Sequence, residues 1–265
     1  MNKKVFVFLD IDGTIYTRKH GIPDSTQKAI RLLKENGHHP VICTGRTKCM
    51  IFQDILELGF DGIISGAGTY GEWQGEKLFD DNISSKEAEE LVCLFRKHGF
   101  HAYAEGHEHL CYDPAAIEDP LEEAKRVFSL KDPNVLKAFR PGTEGIEKVS
   151  GLFTDKSNDT GFIRELKGRY NVVNHGNYLL ETFPLAVSKG TAIRKLLSHL
   201  GADLTQTYAY GDSFNDLSML ETVENGVVMG NGDPKLLDQI PLHAGRIEED
   251  GLYLSLKKFG LIGHI

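Results

Sequence analysis

Cysteine is scarce in this 265-residue chain, and none of Cys43, Cys49, Cys93 and Cys111 forms a CxxC pair. Isolated thiols at these spacings exclude a disulfide framework and a cysteine-based zinc site, and they fit a reducing compartment. Long apolar runs are missing too. Val5–Leu9 follows a basic start, Met1-Asn2-Lys3-Lys4, but is too short for a signal peptide and ends in Asp10. No segment approaches the roughly 18 apolar residues of a membrane helix. A cytoplasmic protein with no membrane partner is expected. Basic runs are absent as well: 30 Lys and Arg stand against 38 Asp and Glu, a net charge of -8. That balance disfavours nucleic acid as a partner. An anionic small molecule stays open, because a bound metal or a helix N-terminus reverses the local field.

What is present reads as an ordinary globular chain, 40% hydrophobic and 26% charged, large enough for one big domain or a core with a smaller partner. Val5–Leu9 is a continuous run of strand formers, as in a parallel strand buried on both faces. A helix is expected from Asp24 or Ser25 to Lys34, ended by Gly37. A buried strand Pro40–Cys43, a helix from Thr44-Gly45-Arg46 to about Leu58, and a strand Asp61–Ser65 follow. This alternation predicts βαβ units on a parallel sheet. A hairpin over 70–78 then breaks the rhythm, and an α+β segment runs to about 183. Within it, helix-then-two-strands recurs at 85–113 and 158–183, while the organisation of 114–145 is not legible. The βα rhythm resumes at Lys189, with a helix over Thr191–Leu200, strands over Thr207–Tyr210 and Gly226–Met229, and a helix from Asp216. The predicted domains are a core of 1–81 and 187–265 and an insert of 82–186.

Three predicted strands end in reactive groups. In open parallel sheets ligands bind beyond the carboxyl ends of the strands, so Asp10/Asp12, Thr44 and Asp212 should converge. Asp10 and Asp12 share one side of an extended segment, and Gly13 permits a sharp turn after them. Paired carboxylates repel unless a cation lies between them or one keeps its proton, which suits a nucleophile beside an acid. The plainer reading is a turn that caps the next helix. Asp212, Asn215 and Asp216 form a second acidic group, of the oxygen-rich kind that magnesium takes, or a helix cap. Thr44-Gly45 offers a hydroxyl and amides to an anion, or is a simple strand-to-helix turn. Lys189 is singled out only by its place where the insert returns to the core. Arg46, Glu105, His107, His109 and Arg164 could face the active site, but ordinary surface placement is the expectation for each. The His101, His107 and His109 group lacks a defined spacing and a carboxylate partner for a metal.

Asp10-Ile11-Asp12-Gly13-Thr14, Thr44-Gly45-Arg46, Ser188-Lys189-Gly190 and Gly211-Asp212-Ser213-Phe214-Asn215-Asp216 resemble, in order, the four motifs of the haloacid dehalogenase superfamily. The late insert resembles the Cof-type subfamily with its C2-type cap. The resemblance implies an α/β fold, a Rossmann-like core with an inserted α+β cap that selects substrate. It implies a phosphatase of small phosphate monoesters, sugar phosphates or related metabolites, with Mg2+ as cofactor. Asp10 would be the nucleophile and Asp12 the general acid and base, with Thr44 and Lys189 completing the catalytic set. Phosphate would be bound by Thr44, Gly45, Arg46, Lys189 and Asn215. Asp10, the Asp12 carbonyl and Asp212 would hold the metal, supported by Asn215 and Asp216. Ser65-Gly66-Ala67-Gly68 departs from the Asn-Gly-Ala usual in the subfamily. A phosphomutase using the same intermediate, or a non-enzymatic sugar-phosphate sensor, are the other readings. A monomer or weak homodimer is expected.

Overall fold

The computed structural model describes residues 4–176 and 178–263, so the basic start at Met1–Lys3 lies outside the described residues. The chain runs through β1 (Phe6–Leu9), α1 (Asp24–Glu35), β2 (His39–Cys43), α2 (Gln53–Leu56), β3 (Gly62–Ser65), β4 (Tyr70–Trp73) and β5 (Glu76–Asp80). Next come α3 (Ser85–Lys97), β6 (His101–Gly106), β7 (Leu110–Tyr112), α4 (Pro120–Phe128), β8 (Leu136–Ala138) and β9 (Ile146–Leu152). Then follow α5 (Asp159–Leu166), β10 (Tyr170–Asn174), β11 (Leu179–Pro184), α6 (Lys189–His199) and β12 (Thr207–Gly211). The last elements are α7 (Leu217–Thr222), β13 (Asn225–Val228), α8 (Pro234–Gln239), β14 (Leu242–His243) and α9 (Gly251–Lys258). Two compact units result. One is Met1–Gly45, Gln53–Phe79 and Ser188–Ile265; the other is Arg46–Phe52 with Asp80–Val187.

The first unit is an eight-stranded sheet in the order β14-β13-β12-β1-β2-β3-β4-β5. From β14 through β3 each neighbouring pair is parallel, and β4 then returns antiparallel to β3. The all-apolar β1 takes the centre because both its faces are covered: Val7, Phe8 and Leu9 are fully buried. Phe8, Val41 and Ile64 on neighbouring strands share one core cluster with Ile193 and Leu196 of α6 and Met219 of α7. Each such side chain contributes about 1.5–3 kcal/mol of burial. On α1, Ala29, Ile30 and Leu33 make one buried stripe, and Gly37 at φ 80° ends the helix as its sequence predicts.

The helix expected between Arg46 and Leu58 is broken. A single 3-10 turn at Lys48–Met50 is followed by extended Ile51, and only α2 is α-helical. Met50, Ile51 and Phe52 are all buried, and three consecutive apolar residues do not fit on one helical face. Met50 instead joins a core cluster with Tyr103, Leu110, Leu152 and Leu179 of the second unit.

The second unit is a six-stranded sheet, β10-β11-β9-β6-β7-β8, antiparallel except for the β7–β8 pair. Phe95 of α3, Phe162 of α5 and Phe100 meet Val149 and Leu180 on one face of the sheet. Ring centroids of Phe95 and Phe162 are 4.1 Å apart. The helix-then-hairpin order recurs, as α3-β6-β7 and α5-β10-β11. Ser84 starts α3 with a full capping box: its Oγ accepts from the Glu87 amide, and its own N–H donates to Glu87 Oε2 at 2.9 Å. The illegible stretch holds α4, with Asp119 as cap and Pro120 in the first turn, and the short edge strand β8.

Candidate active site

Register alone gathers the first unit's reactive strand ends. Leu9 pairs with Ile42 on one side and Tyr210 on the other, so Asp10 stands beside Cys43 and Gly211. Thr44 and Asp212 follow one residue later, on strands roughly 4.8 Å away. The Asp10 amide donates to the Tyr210 carbonyl at 3.0 Å, continuing the ladder one step past β1.

Lys189 supplies the positive charge. Ser188 caps α6 in a capping box with Thr191, which makes Lys189 the first helical residue and turns its side chain inward. Only 1% exposed, its Nζ donates to Asp10 Oδ1 at 2.7 Å and to Asp216 Oδ1 at 2.5 Å. Burial alone would depress its pKa, but Asp10 and Asp216 together outweigh that and hold the ammonium charged. The other Asp216 oxygen accepts from the amides of Asp212 at 2.9 Å and Ser213 at 3.0 Å. Asp216 therefore braces the loop that carries Asp212.

The carboxylates are strained by their burial. Asp10 is pushed up to about 7, first by burial and then by Asp216 and Asp12, against the pull of Lys189. Asp212 is pushed up to about 8 by burial and by Asp10 and Asp216. Carboxyl oxygens of Asp10, Asp212 and Asp216 lie within 4.8 Å of one another, and buried Asp212 Oδ1 has no hydrogen-bond partner among the described residues. A hard divalent cation would answer both facts, since it takes oxygen ligands and relieves the repulsion. The donor set fits such an ion. Gly13 lets the first loop come this close: its φ is 84°, and a Cβ there would overlap the Asp212 carboxylate.

Thr44 is buried, and its carbonyl accepts from the Ala67 amide at 3.1 Å. The Asn215 amide lies beside Gly45, and its Oδ1 accepts from Ser213 Oγ at 2.7 Å. Asp12 is exposed on the turn, with its backbone bridged to Tyr16. Arg46, one peptide bond beyond Gly45, belongs to the second unit, where it donates to the Met50 carbonyl at 3.1 Å and lies over the Phe52 ring. Cys43 adjoins Asp10, but burial raises its thiol far above the range of a nucleophile. Ser65, the residue that departs from the expected pattern, has a buried hydroxyl with no hydrogen-bond partner among the described residues.

Sequence reasoning missed two things here. Asn231 donates to the Gly13 carbonyl at 2.8 Å and accepts from the Ile247 amide at 2.9 Å, tying down the first loop. A lone Asn between glycines carries no local signal of that role. Glu105 is not at the surface: it is 2% exposed and forms an ionic network with Lys148, Glu181 and Ser150. Lys148 compensates the two glutamates, and Ser150 and Lys148 share its side of β9, which makes burial tolerable. His109 and Arg164 are exposed as expected.

An open, largely parallel sheet with paired acidic loops at its strand ends defines a Rossmann-like α/β enzyme. The description of the haloacid dehalogenase-like hydrolases matches residues 7–256, and the chain belongs to that family. It is a phosphatase of that family, which bears out the resemblance carried by the four motifs. YkrA of Bacillus subtilis (strain 168), provisionally named a phosphatase, is 29% identical, covering 97% of this chain and 98% of its own length. The HMP-PP phosphatase of Cronobacter sakazakii (strain ATCC BAA-894) is 26% identical over 88% of this chain and 86% of its own. Among solved structures, the subclass IIB sugar phosphatase BT4131 shares the fold: TM-score 0.83, 22% identity, 98% of this chain and 100% of that one.

Proposed function

We propose that the chain hydrolyses small phosphate monoesters, sugar phosphates or related phosphorylated metabolites, through an aspartyl-phosphate on Asp10. The observation that carries this reading is the Lys189 bridge between Asp10 and Asp216, 2.7 and 2.5 Å long, at the end of the central strand. Asp10 attacks phosphorus, the bond to the leaving oxygen breaks, and Asp12 delivers a proton to that oxygen. Water then attacks the phosphoryl group, Asp12 takes its proton, and the Asp10–phosphorus bond breaks to release phosphate. Thr44, Gly45 and Asn215 bind the phosphoryl oxygens, and Lys189 neutralises their charge and fixes the Asp10 rotamer. The Asp10 and Asp212 carboxylates and the Asp12 carbonyl would hold Mg2+, with Asn215 and Asp216 positioning them. When bound, the ion supplies positive charge that offsets the phosphoryl oxygens. The second unit acts as the cap that selects the leaving group.

The test is phosphate release from a panel of phosphorylated metabolites, with and without Mg2+, for wild type and Asp10→Asn. Mg2+-dependent release that vanishes in the folded variant is expected. Substantial turnover by Asp10→Asn would sink the nucleophile assignment, and isomerised phosphate esters in place of free phosphate would identify a mutase.

A further inference from the structure

The first unit carries a turn that takes no direct part in the proposed reaction and yet touches two groups that do. β3 and β4 pair antiparallel with Ser65 opposite Tyr70, so residues 66–69 join them. Gly66, Ala67 and Gly68 stand at φ 59°, 60° and 110°, a consecutive run at positive φ. Glycine enters that region without steric cost, whereas an alanine there is strained and persists only where its surroundings fix it. Thr69 closes the turn: its amide and its hydroxyl both donate to the Gly66 carbonyl, at 3.3 and 2.9 Å.

On one side the turn holds Thr44. The Ala67 amide donates to the Thr44 carbonyl at 3.1 Å, and the Thr44 amide donates to the Ile64 carbonyl at 2.9 Å. On the other side Gly68 lies against the first turn of α6. A Cβ at Gly68 would sit 2.4 Å from the Ser188 carbonyl oxygen and 3.1 Å from the Ala192 Cβ. That carbonyl already accepts from the Ala192 amide and from Thr191 Oγ1, each at 3.0 Å, as part of the capped helix start. Nothing larger than glycine fits at 68 unless the start of α6 moves. The opposite flank is closed as well, since a Cβ at Gly190 would lie 2.3 Å from the Ser218 carbonyl oxygen of α7. Lys189 stands between these two contacts, so the backbone that carries its Nζ to Asp10 and Asp216 has little slack.

We infer that Gly68 is a positioning residue: it sets the start of α6, and through it Lys189, while the same turn holds Thr44. This rests on the proposed reaction, in which Thr44 and Lys189 both meet the phosphoryl group. A side chain at 68 displaces the Lys189 ammonium from Asp10 although it touches neither residue.

Gly68→Ala is compared with Gly75→Ala. Gly75, between β4 and β5, has φ 84°, and a Cβ there would meet nothing within 4 Å. Both variants strain a side chain at positive φ, and only the first pushes on α6. In folded protein Gly68→Ala is expected to lower kcat about 100-fold, the scale of a catalytic group misplaced by about 1 Å, with KM changed less than about threefold. Gly75→Ala should keep the wild-type kcat. Adding Ala192→Gly to Gly68→Ala gives the new methyl room and should restore part of kcat, although a glycine inside α6 lowers stability further. Equal kcat in Gly68→Ala and Gly75→Ala, or rates that follow melting temperature through all three variants, overturn the inference. If Gly68→Ala does not fold, Ala192→Val crowds the same contact from the helix side, and an unchanged kcat there overturns it too. The amide resonances of Ser188 and Lys189 report the placement without turnover. They should move in Gly68→Ala and stay in Gly75→Ala, and unmoved resonances overturn the inference. Moved resonances in a protein whose wild type releases no phosphate support the placement and sink the proposed reaction alone.

Discussion

At the residue scale the first unit's centre is a problem in charge. Asp10, Asp212 and Asp216 crowd around a single buried ammonium, so the group is short of positive charge. Asp10 is raised to about 7 and Asp212 to about 8, against an ordinary value of 3.8. A carboxyl whose folded pKa is raised keeps a proton that the unfolded chain has already released. Folding without metal therefore becomes less favourable as pH climbs through the window from about 4 to about 8. The expected result in chelator is a melting temperature that falls across this window. Mg2+ should raise it by an increment that grows with pH, and Asp212→Asn should flatten the slope. Melting curves at several pH values check this; an Mg2+ increment that is the same at pH 5 and pH 8 contradicts it.

At the scale of elements, the sheet puts each loop at the correct strand end, and capping and tethering then fix its shape. Ser188 caps α6 and so aims Lys189 inward, while Asn231 holds the Gly13 carbonyl from the loop after β13. Losing that tether removes the hold on the Gly13 carbonyl, while the Lys189 bridge to Asp10 remains. Asn231→Ala is expected to cost about 0.5–1.5 kcal/mol, the loss of a part-buried hydrogen bond. If Asp10 reacts as proposed, the variant should lower kcat more than KM, because the loop that carries Asp10 shifts while Thr44 and Gly45 do not. Steady-state kinetics beside a denaturant titration decide it, and unchanged kcat with reduced stability would confine Asn231 to a structural role. The broken helix after Gly45 belongs at this scale too. Met50 packs with Tyr103, Leu110 and Leu152, and no local pattern encodes partners so distant in the sequence.

At the scale of the molecule, two units each own a core. The first is built around Phe8, Val41 and Ile193, and the second around Phe95, Phe100 and Phe162. Separate cores predict unfolding that is not two-state. Calorimetry should show two components, with Mg2+ raising the one that carries the Asp10 centre. A single transition whose calorimetric and van't Hoff enthalpies agree would refute that expectation. Among the described residues, no helix is long and apolar enough to cross a membrane.

The sequence by itself determined the parallel core, because runs such as Val5–Leu9 and Pro40–Cys43 can be satisfied only between two covered faces. It also marked the strand ends where the acidic loops gather, since Asp10, Asp12, Thr44 and Asp212 lie at or just past the ends of predicted strands. Local signals are short-ranged, and these were complete within a few residues. Tertiary structure alone decided the rest: the Lys189 bridge spanning 179 positions of sequence, the Asn231 tether spanning 218, and the burial of Glu105. Each of those depends on how distant segments meet, and a buried charge looks no different in a sequence from a solvated one.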